Sequence, residues 1–570
     1  MEKNDSNKNN KNVYPILLGT AQRVLNKNGN WTFKLVWSRI IMLLLILGVF
    51  LYTLFSLAIY SYFKYFREYE EMTFLAALKV PFTRTEHRET VGNYNIRKAQ
   101  EFLKAGKYRD AYSALVVGCS RSPRNLEGRK MLAEFYQVLF KRPDRALETL
   151  ERSLIYAVND ISYVRLYSKI LIDQTEDARL ISVGEKILAM PELKSQDVKL
   201  YIAMALSTVY AYHGNYIKSK EYIEKYGLEK TLPGILRLSK NEWELGNRDG
   251  AIKILADNIN VPQNKEAIYA LLVNYYVMMR DFDKARQYSM LRSLENPFSM
   301  EQRMEYLTLL KSSGDIDGVK RDMEIFLNTY QDNNRSILYL ANFAADIGDL
   351  PFMRRIYDLA LRKDFPIAPY CLLLLETTIA QGDYKAAVAF VEDIMTTKPK
   401  WKERHEDVIL CLRAVAYYAV GNANMADVLI GDIVKRNSIP VKVMIATSRM
   451  FDKLNAPEIS LRILERAVAL YPKHQMALTR LIQAELKVGI STDLHNHVMK
   501  LLKMRRPPRE LIADARVNIC SDKFIYAADR DAIINEIDYL MNNKDGNRAF
   551  TESKDSIDND RLLDASNLNF

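Results

Sequence analysis

Residues 382–399 read Gly-Asp-Tyr-Lys-Ala-Ala-Val-Ala-Phe-Val-Glu-Asp-Ile-Met-Thr-Thr-Lys-Pro. Glycine permits a tight turn, the following run has helical spacing, and proline ends it. The same grammar recurs at a fixed distance. Small or apolar residues fall at Ala251, Ala285, Val319, Met353 and Ala387, each 34 residues after the last. The series resumes in the same steps at Ala426, Ser460, Leu494 and Ala528. Five residues before most of them stands a turn signal: Gly246-Asn247, Arg280-Asp281, Gly314-Asp315, Gly348-Asp349, Gly382-Asp383 and Gly421-Asn422. Self-similarity at a period of this length marks stacked helical pairs, because one pair cannot bury its apolar face alone.

The Gly-Asp-Tyr turn, the small residues of the second helix and the closing Pro123, Pro297, Pro399 and Pro472 resemble the tetratricopeptide repeat. The resemblance implies an all-α fold: a right-handed superhelical α-solenoid of about 13 helix-turn-helix units. It covers residues 92–542. Before Ala251 the register loosens. Ala146 follows Ala111 by 35, Ser219 follows Ala146 by 73, and a degenerate unit falls around Asp177–Met190. The step from Ala387 to Ala426 is 39, with a polar insert from Lys398 to Asp407.

Residues 40–62 read IIMLLLILGVFLYTLFSLAIYSY, 23 residues without a charge. A membrane span needs about 20. Trp31, Phe33 and Trp37 precede it, and Tyr60, Tyr62, Phe63, Tyr65 and Phe66 close it, as an aromatic belt would. Seven Lys and Arg (Lys3, Lys8, Lys11, Arg23, Lys27, Lys34, Arg39) stand before it; three (Lys64, Arg67, Lys79) follow closely. The positive-inside rule then expects a cytoplasmic N-terminus and extracytoplasmic, or periplasmic, repeats at the inner membrane. The domain reading is a basic N-terminal segment 1–39, a span 40–62, a connector 63–91, the solenoid 92–542 and a disordered tail 543–570. Val13–Asn26 reads either as a segment on the inner membrane face or as a plain linker.

The net charge of +11 is diffuse. Residues 1–39 carry seven positive and two negative charges, and 543–570 four positive and six negative, which leaves +8 over the rest. No basic stripe with interleaved aromatics suggests nucleic acid. Cys119, Cys371, Cys411 and Cys520 have no metal-knuckle spacing, and only Cys371 with Cys411 lie in adjacent units. His495 and His497 fall on different faces of a helix, and no phosphate loop or nucleophile elbow occurs. No cofactor or metal site is expected, and the reading is non-enzymatic.

In the resembled family the first helices line a groove. The position six before each turn residue reads Gln100, Phe135, Thr208, Lys240, Asn274, Thr308, Asn342, Glu376, Val415, Arg449 and Gln483. Nine of these eleven are polar, so Lys240, Asn274, Thr308, Asn342, Glu376 and Arg449 are candidate partner contacts. The family's carboxylate clamp is not expected: Asn274 fits it, but Ala270 stands where it needs Lys. The leading reading is a membrane-tethered scaffold for protein partners in bacterial envelope biogenesis or export. Two alternatives stay open. One is a cytoplasmic-facing adaptor regulating envelope synthesis. The other is a solenoid that binds glycan through Tyr201, Tyr212, Trp243 and Tyr418.

Overall fold

The structure, a computed structural model, describes residues 13–16, 19–25, 31–66, 69–260, 265–296, 299–489, 493–526 and 530–542. The expectations for residues 1–12 and for the tail 543–570 lie outside the described residues. The chain divides into two compact units. One comprises Met1–Val158 with Ser162–Tyr167; the other comprises Asn159–Ile161 and the chain from Ser168 onward.

The described helices form a helical repeat of stacked helix-turn-helix pairs, the fold that the tetratricopeptide resemblance implies, and the turns show why. Gly106, Lys141, Thr175, Gly214, Gly246, Arg280, Gly314, Gly348, Gly382, Gly421, Asn455 and Gly489 all have φ between 50° and 89°. Each ends a first helix in the left-handed conformation that reverses the chain. At most of these turns the next residue then caps the second helix with its side chain. Asn247, Asp281, Asp315, Asp349, Asp383 and Asn422 each accept a hydrogen bond from the backbone N–H three residues on, at 2.9–3.2 Å. One unpaired donor of the helix start is thereby satisfied. The pair Arg509–Ile519 and Arg530–Asn542 follows the last of these turns.

The residues at the repeat period occupy the helix crossings. Ala251, Ala285, Met353, Ala387, Ala426 and Ser460 are all 0% exposed, and Val319 and Leu494 are nearly so. The degenerate unit is a regular pair, Ile161–Asp173 and Asp177–Ala189, whose turn uses Thr175 in place of glycine. The 39-residue step accommodates the short helix Glu403–His405 between Tyr384–Thr397 and Glu406–Val420. All four cysteines are free, so Cys371 and Cys411 do not pair. Burial pushes both thiols up to about 12, which makes them poor nucleophiles. Cys520 is exposed at a helix end, not in an apolar interior.

The N-terminal stretch departs from helix. Strands β1 (Val13–Ile16), β2 (Ala21–Leu25) and β3 (Trp31–Leu35) form an antiparallel sheet in the order β1-β2-β3. Neither the linker nor the surface-segment reading of Val13–Asn26 anticipated strands. Alternation of Trp31, Phe33 and Leu35 with Thr32 and Lys34 is the period-two signal that produces them. After Val36 the chain enters α1 (Trp37–Ser61), which is long and apolar enough to cross a membrane. A short helix, Phe74–Lys79, packs back on α1, with Tyr60 against Phe74 and Tyr52 against Phe82.

The packing separates two kinds of position. Ala285→Leu inserts volume at a closed crossing and should lower stability by about 1–3 kcal/mol. The exposed Asn274→Ala should stay within about 0.5 kcal/mol. Denaturation of the detergent-solubilised chain, followed by circular dichroism, measures both. A harmless Ala285→Leu would show that the repeat register is wrong.

Candidate functional site

The first helices Gln196–Tyr212, Leu232–Glu244 and Glu266–Met278 of three consecutive pairs line a cavity of about 700 Å³. The turn residue Arg280 and the second-helix residues Tyr216 and Arg248 complete its wall. One further lining residue, Arg506, comes from a loop almost 300 positions away in sequence. Repeats of this kind are expected to touch only their neighbours. Here the loop between Leu494–Leu502 and Arg509–Ile519 returns to the beginning of the same unit.

Arg505 makes the anchor. Its Nε and Nη2 donate to the two carboxylate oxygens of Asp177 at 2.8 and 2.9 Å, and Nη2 also donates to the Ile172 carbonyl at 2.7 Å. The guanidinium lies 4.4 Å from the centroid of the Tyr212 ring. Asp177 is buried, and His213 Nε2 lies 3.1 Å from its Oδ2. Burial pushes the Asp177 carboxyl up, but the bonds from Arg505 and His213 outweigh it and hold the group below its ordinary range. Arg506 follows in register. Its backbone N–H donates to the Tyr212 carbonyl at 3.1 Å, and its side chain bonds Tyr216 Oη and, at 2.9 Å, Glu244. Lys473 pairs with Glu176 beside the same contact.

The cavity is strongly cationic. Arg237, Lys240, Arg248, Arg280 and Arg506 line it with a single carboxylate, Glu244, which Arg506 already engages. Among the described residues no carboxylate pairs with Arg237, Lys240, Arg248 or Arg280. Burial pulls the Arg237 and Lys240 pKa values down, and each is lowered further by a neighbouring cation. Arg237 Nε is buried without a hydrogen-bond partner among the described residues. Such an arrangement favours an anion, whose charge and acceptor oxygens would satisfy these groups. Arg280 also holds φ 61°, a left-handed conformation that most neighbouring turns give to glycine. Strain of this kind costs a non-glycine residue roughly 1–2 kcal/mol.

The candidate column divides. Lys240 and Asn274 are brought together in the cationic cavity. Glu376 and Arg449 line a second cavity, of about 320 Å³, with Asp346 and Lys453. Thr308 and Asn342 line neither; their side chains donate to the Met304 and Leu338 carbonyls of their own helices. The apolar column members Phe135 and Val415 are buried. Burial pushes Glu376 up to about 7 against the pull of Lys453 and Arg449. Of the aromatic candidates, Tyr212 and Trp243 enter the cationic cavity, while Tyr201 and Tyr418 do not. Trp243 lies flat on Tyr275 at 4.0 Å with Arg248 over its ring at 5.6 Å, and Tyr212 carries Arg505 and, at 5.8 Å, Arg237. Sequence reasoning missed Arg237, Arg280, Arg505 and Arg506. The only available signal was the Arg505-Arg506-Pro507-Pro508 run, which interrupts the repeat pattern without naming its target.

His497 Nδ1 lies 2.8 Å from the buried Glu485, and His495 packs edge-on near Phe524. The two histidines serve different contacts. Among the described residues no group of three or more His, Cys, Asp or Glu side chains is placed to hold a metal ion.

No protein-family profile matches the chain, and no curated protein sequence matches it. Among solved structures, Pseudomonas aeruginosa pilF is 16% identical over 38% of this chain and 97% of its own, with a TM-score of 0.28. PilW, described as a widely conserved type IV pilus biogenesis factor, is 20% identical over 38% of this chain and 98% of its own, with a TM-score of 0.28. The APC/C hetero-tetramer Cut9–Hcn1 is 9% identical over 80% of this chain and 98% of the matched chain, with a TM-score of 0.27.

Two outcomes follow from these ionisable groups. Arg505→Met strands a buried carboxylate and should lower stability by about 3 kcal/mol, whereas Asp177→Leu combined with Arg505→Met should recover most of the loss. Urea denaturation at neutral pH checks both, and a harmless single variant would show that the contact does not form. Asp177 has a depressed pKa, so the stability it contributes is present above about pH 4 and is lost as the pH falls through its lower folded value. Glu376 has the opposite sign. It binds its proton more tightly when folded, so it withdraws stability as the pH rises from its ordinary 4.5 towards 7. Glu376→Gln should therefore melt above the parent by a margin that is small at pH 5 and wide at pH 8. Thermal melts at the two values test this, and equal margins would contradict it.

Proposed function

We propose that the chain is a non-enzymatic, single-pass membrane-tethered scaffold. Its cationic cleft at Lys240, Asn274, Arg280 and Arg506 holds an anionic segment of a protein partner. The carrying observation is that Arg237, Lys240, Arg248 and Arg280 line the cleft without a carboxylate mate among the described residues. Arg237 Nε is buried without a hydrogen-bond partner among the described residues, and leaving such a group unpaired is costly. The apolar helix Trp37–Phe66 supports the tether. The seven-to-three distribution of Lys and Arg around it supports a cytoplasmic N-terminus and extracytoplasmic repeats. That topology suits an inner-membrane component of bacterial envelope biogenesis or export. A glycan ligand is less well supported. Sugar recognition uses open aromatic faces, and those of Tyr212 and Trp243 are taken by guanidinium groups and Tyr275.

The test is photo-crosslinking in intact cells. A crosslinking residue at Asn274 should trap one protein, and the same residue at Asp283, fully exposed on the following helix, should not. Arg280→Glu should abolish the Asn274 adduct while the melting temperature is retained. An adduct that survives Arg280→Glu would contradict a charge-reading cleft. Impermeant thiol labelling of Cys520 that requires inner-membrane lysis would contradict the orientation.

A further inference from the structure

Among the described residues, one face of the N-terminal sheet is left largely uncovered, with only Ala21 on it buried. Directly opposed residues of adjacent strands share a face, and the register pairs Tyr14 with Arg23, Ile16 with Ala21, Arg23 with Phe33, Ala21 with Leu35 and Leu25 with Trp31. One face therefore gathers Tyr14, Ile16, Trp31, Phe33 and Leu35 around Arg23. The other presents Pro15, Gln22, Val24, Thr32 and Lys34. The apolar members are exposed, Phe33 to 70% and Tyr14 to 58%. In water this face is a liability, and exposed apolar patches on sheets mark contact surfaces.

What covers it follows from where it is attached. Only Val36 separates β3 from α1, and its N–H donates to the Thr20 carbonyl at 2.8 Å. Arg39, in the first turn of α1, donates from Nη1 to the Gly19 carbonyl at 3.4 Å, clamping the β1–β2 turn to the helix start. The sheet is thus fixed to the helix within about 5 Å of Ile40, where the uncharged run begins. If α1 spans a bilayer, the sheet stands in the headgroup zone. Its chemistry matches that zone. Trp and Tyr are enriched there, and Arg23, held 4.8 Å over the Trp31 ring, carries a cation to the level of lipid phosphates.

We propose that the sheet β1–β3 is a membrane-surface foot: it lies flat on the bilayer with the Tyr14, Trp31, Phe33 and Leu35 face among the lipid headgroups and the Thr32 and Lys34 face in water. The proposal rests on the reading of α1 as a span. It gives the N-terminal segment a role beyond topology, namely to fix the depth and tilt of α1.

The experiment uses the full chain carrying Cys520→Ser, reconstituted in vesicles of zwitterionic and anionic phospholipid. Single cysteines are introduced as Thr32→Cys, Phe33→Cys, Lys34→Cys and Leu35→Cys and labelled with an environment-sensitive fluorophore. The result expected is alternation. Labels at 33 and 35 emit to the blue and lose intensity to lipids spin-labelled near the headgroup, whereas labels at 32 and 34 emit as in water and keep it. Four positions guard against one variant that does not fold. Equal, water-like emission at all four would overturn the foot. Blue emission at 33 and 35 that resists lipid quenching and fades on dilution into excess lipid would overturn it in favour of a second copy of the chain. Leu45→Cys separates the two readings. Quenching of its label by deep spin-labelled lipid upholds the span whatever the sheet does, and a water-like Leu45 label overturns span and foot together.

Discussion

The candidate site depends on one buried carboxylate. Asp177 begins the second helix of a pair near the start of its unit, and it is enclosed. A carboxylate there needs hydrogen-bonded cations, and His213 supplies only one contact. Arg505, 328 residues later, supplies a two-pronged bond and stacks on Tyr212. The closure of so long a loop costs little more entropy than that of a shorter one, because the cost grows only with the logarithm of length. The intervening helical pairs are themselves ordered, which reduces that cost further. Once Arg505 is seated, Arg506 has no freedom left. The prolines at 507 and 508 hold the residue before them extended, and its backbone and side chain fall on Tyr212, Tyr216 and Glu244. The contact that joins distant repeats thereby supplies one wall of the cationic cleft.

The cleft is maintained against local cost. Arg280 adopts a backbone conformation that glycine adopts at most neighbouring turns, and the half-buried Arg237 keeps its Nε without a hydrogen-bond partner among the described residues. Strain and unpaired charge at one place are what a binding surface retains when stability alone would remove them. The aromatic rings serve the cations. They stack on guanidinium groups and on each other, which holds the positive charges at fixed positions with few carboxylates to cancel them.

Much of the fold was legible because its determinants are local. A left-handed turn residue, an Asp or Asn cap and a small or apolar residue four or five positions on leave the same mark in most units, as at Gly382, Asp383 and Ala387. Where the mark was degraded, as at Thr175, the backbone still adopts the turn, since packing of neighbouring pairs overrides a weak local preference. The site was half legible. Helical spacing groups Lys240 and Asn274, and both line one cavity, because first helices repeat their orientation. It could not separate them from Thr308 and Asn342, whose side chains bond to their own helices. Arg505 and Arg506 were out of reach, since no periodicity encodes a contact between repeats that far apart. The strands at 13–35 were obscured differently. Trp31, Phe33 and Leu35 alternate as a strand does, but beside an uncharged run of 23 residues they read as part of an aromatic belt.

The account stands on the return of the C-terminal loop to the start of its unit, and zero-length carbodiimide crosslinking of the native chain tests that directly. Lys473 and Glu176 form an ion pair across the contact, while Lys311–Asp346 and Lys363–Asp332 are ion pairs between neighbouring repeats. Peptide mapping by mass spectrometry should recover the amide between Lys473 and Glu176 alongside the two neighbouring ones. Recovery of the neighbouring links without any Lys473–Glu176 link would contradict the closure, and with it the cleft that Arg506 completes.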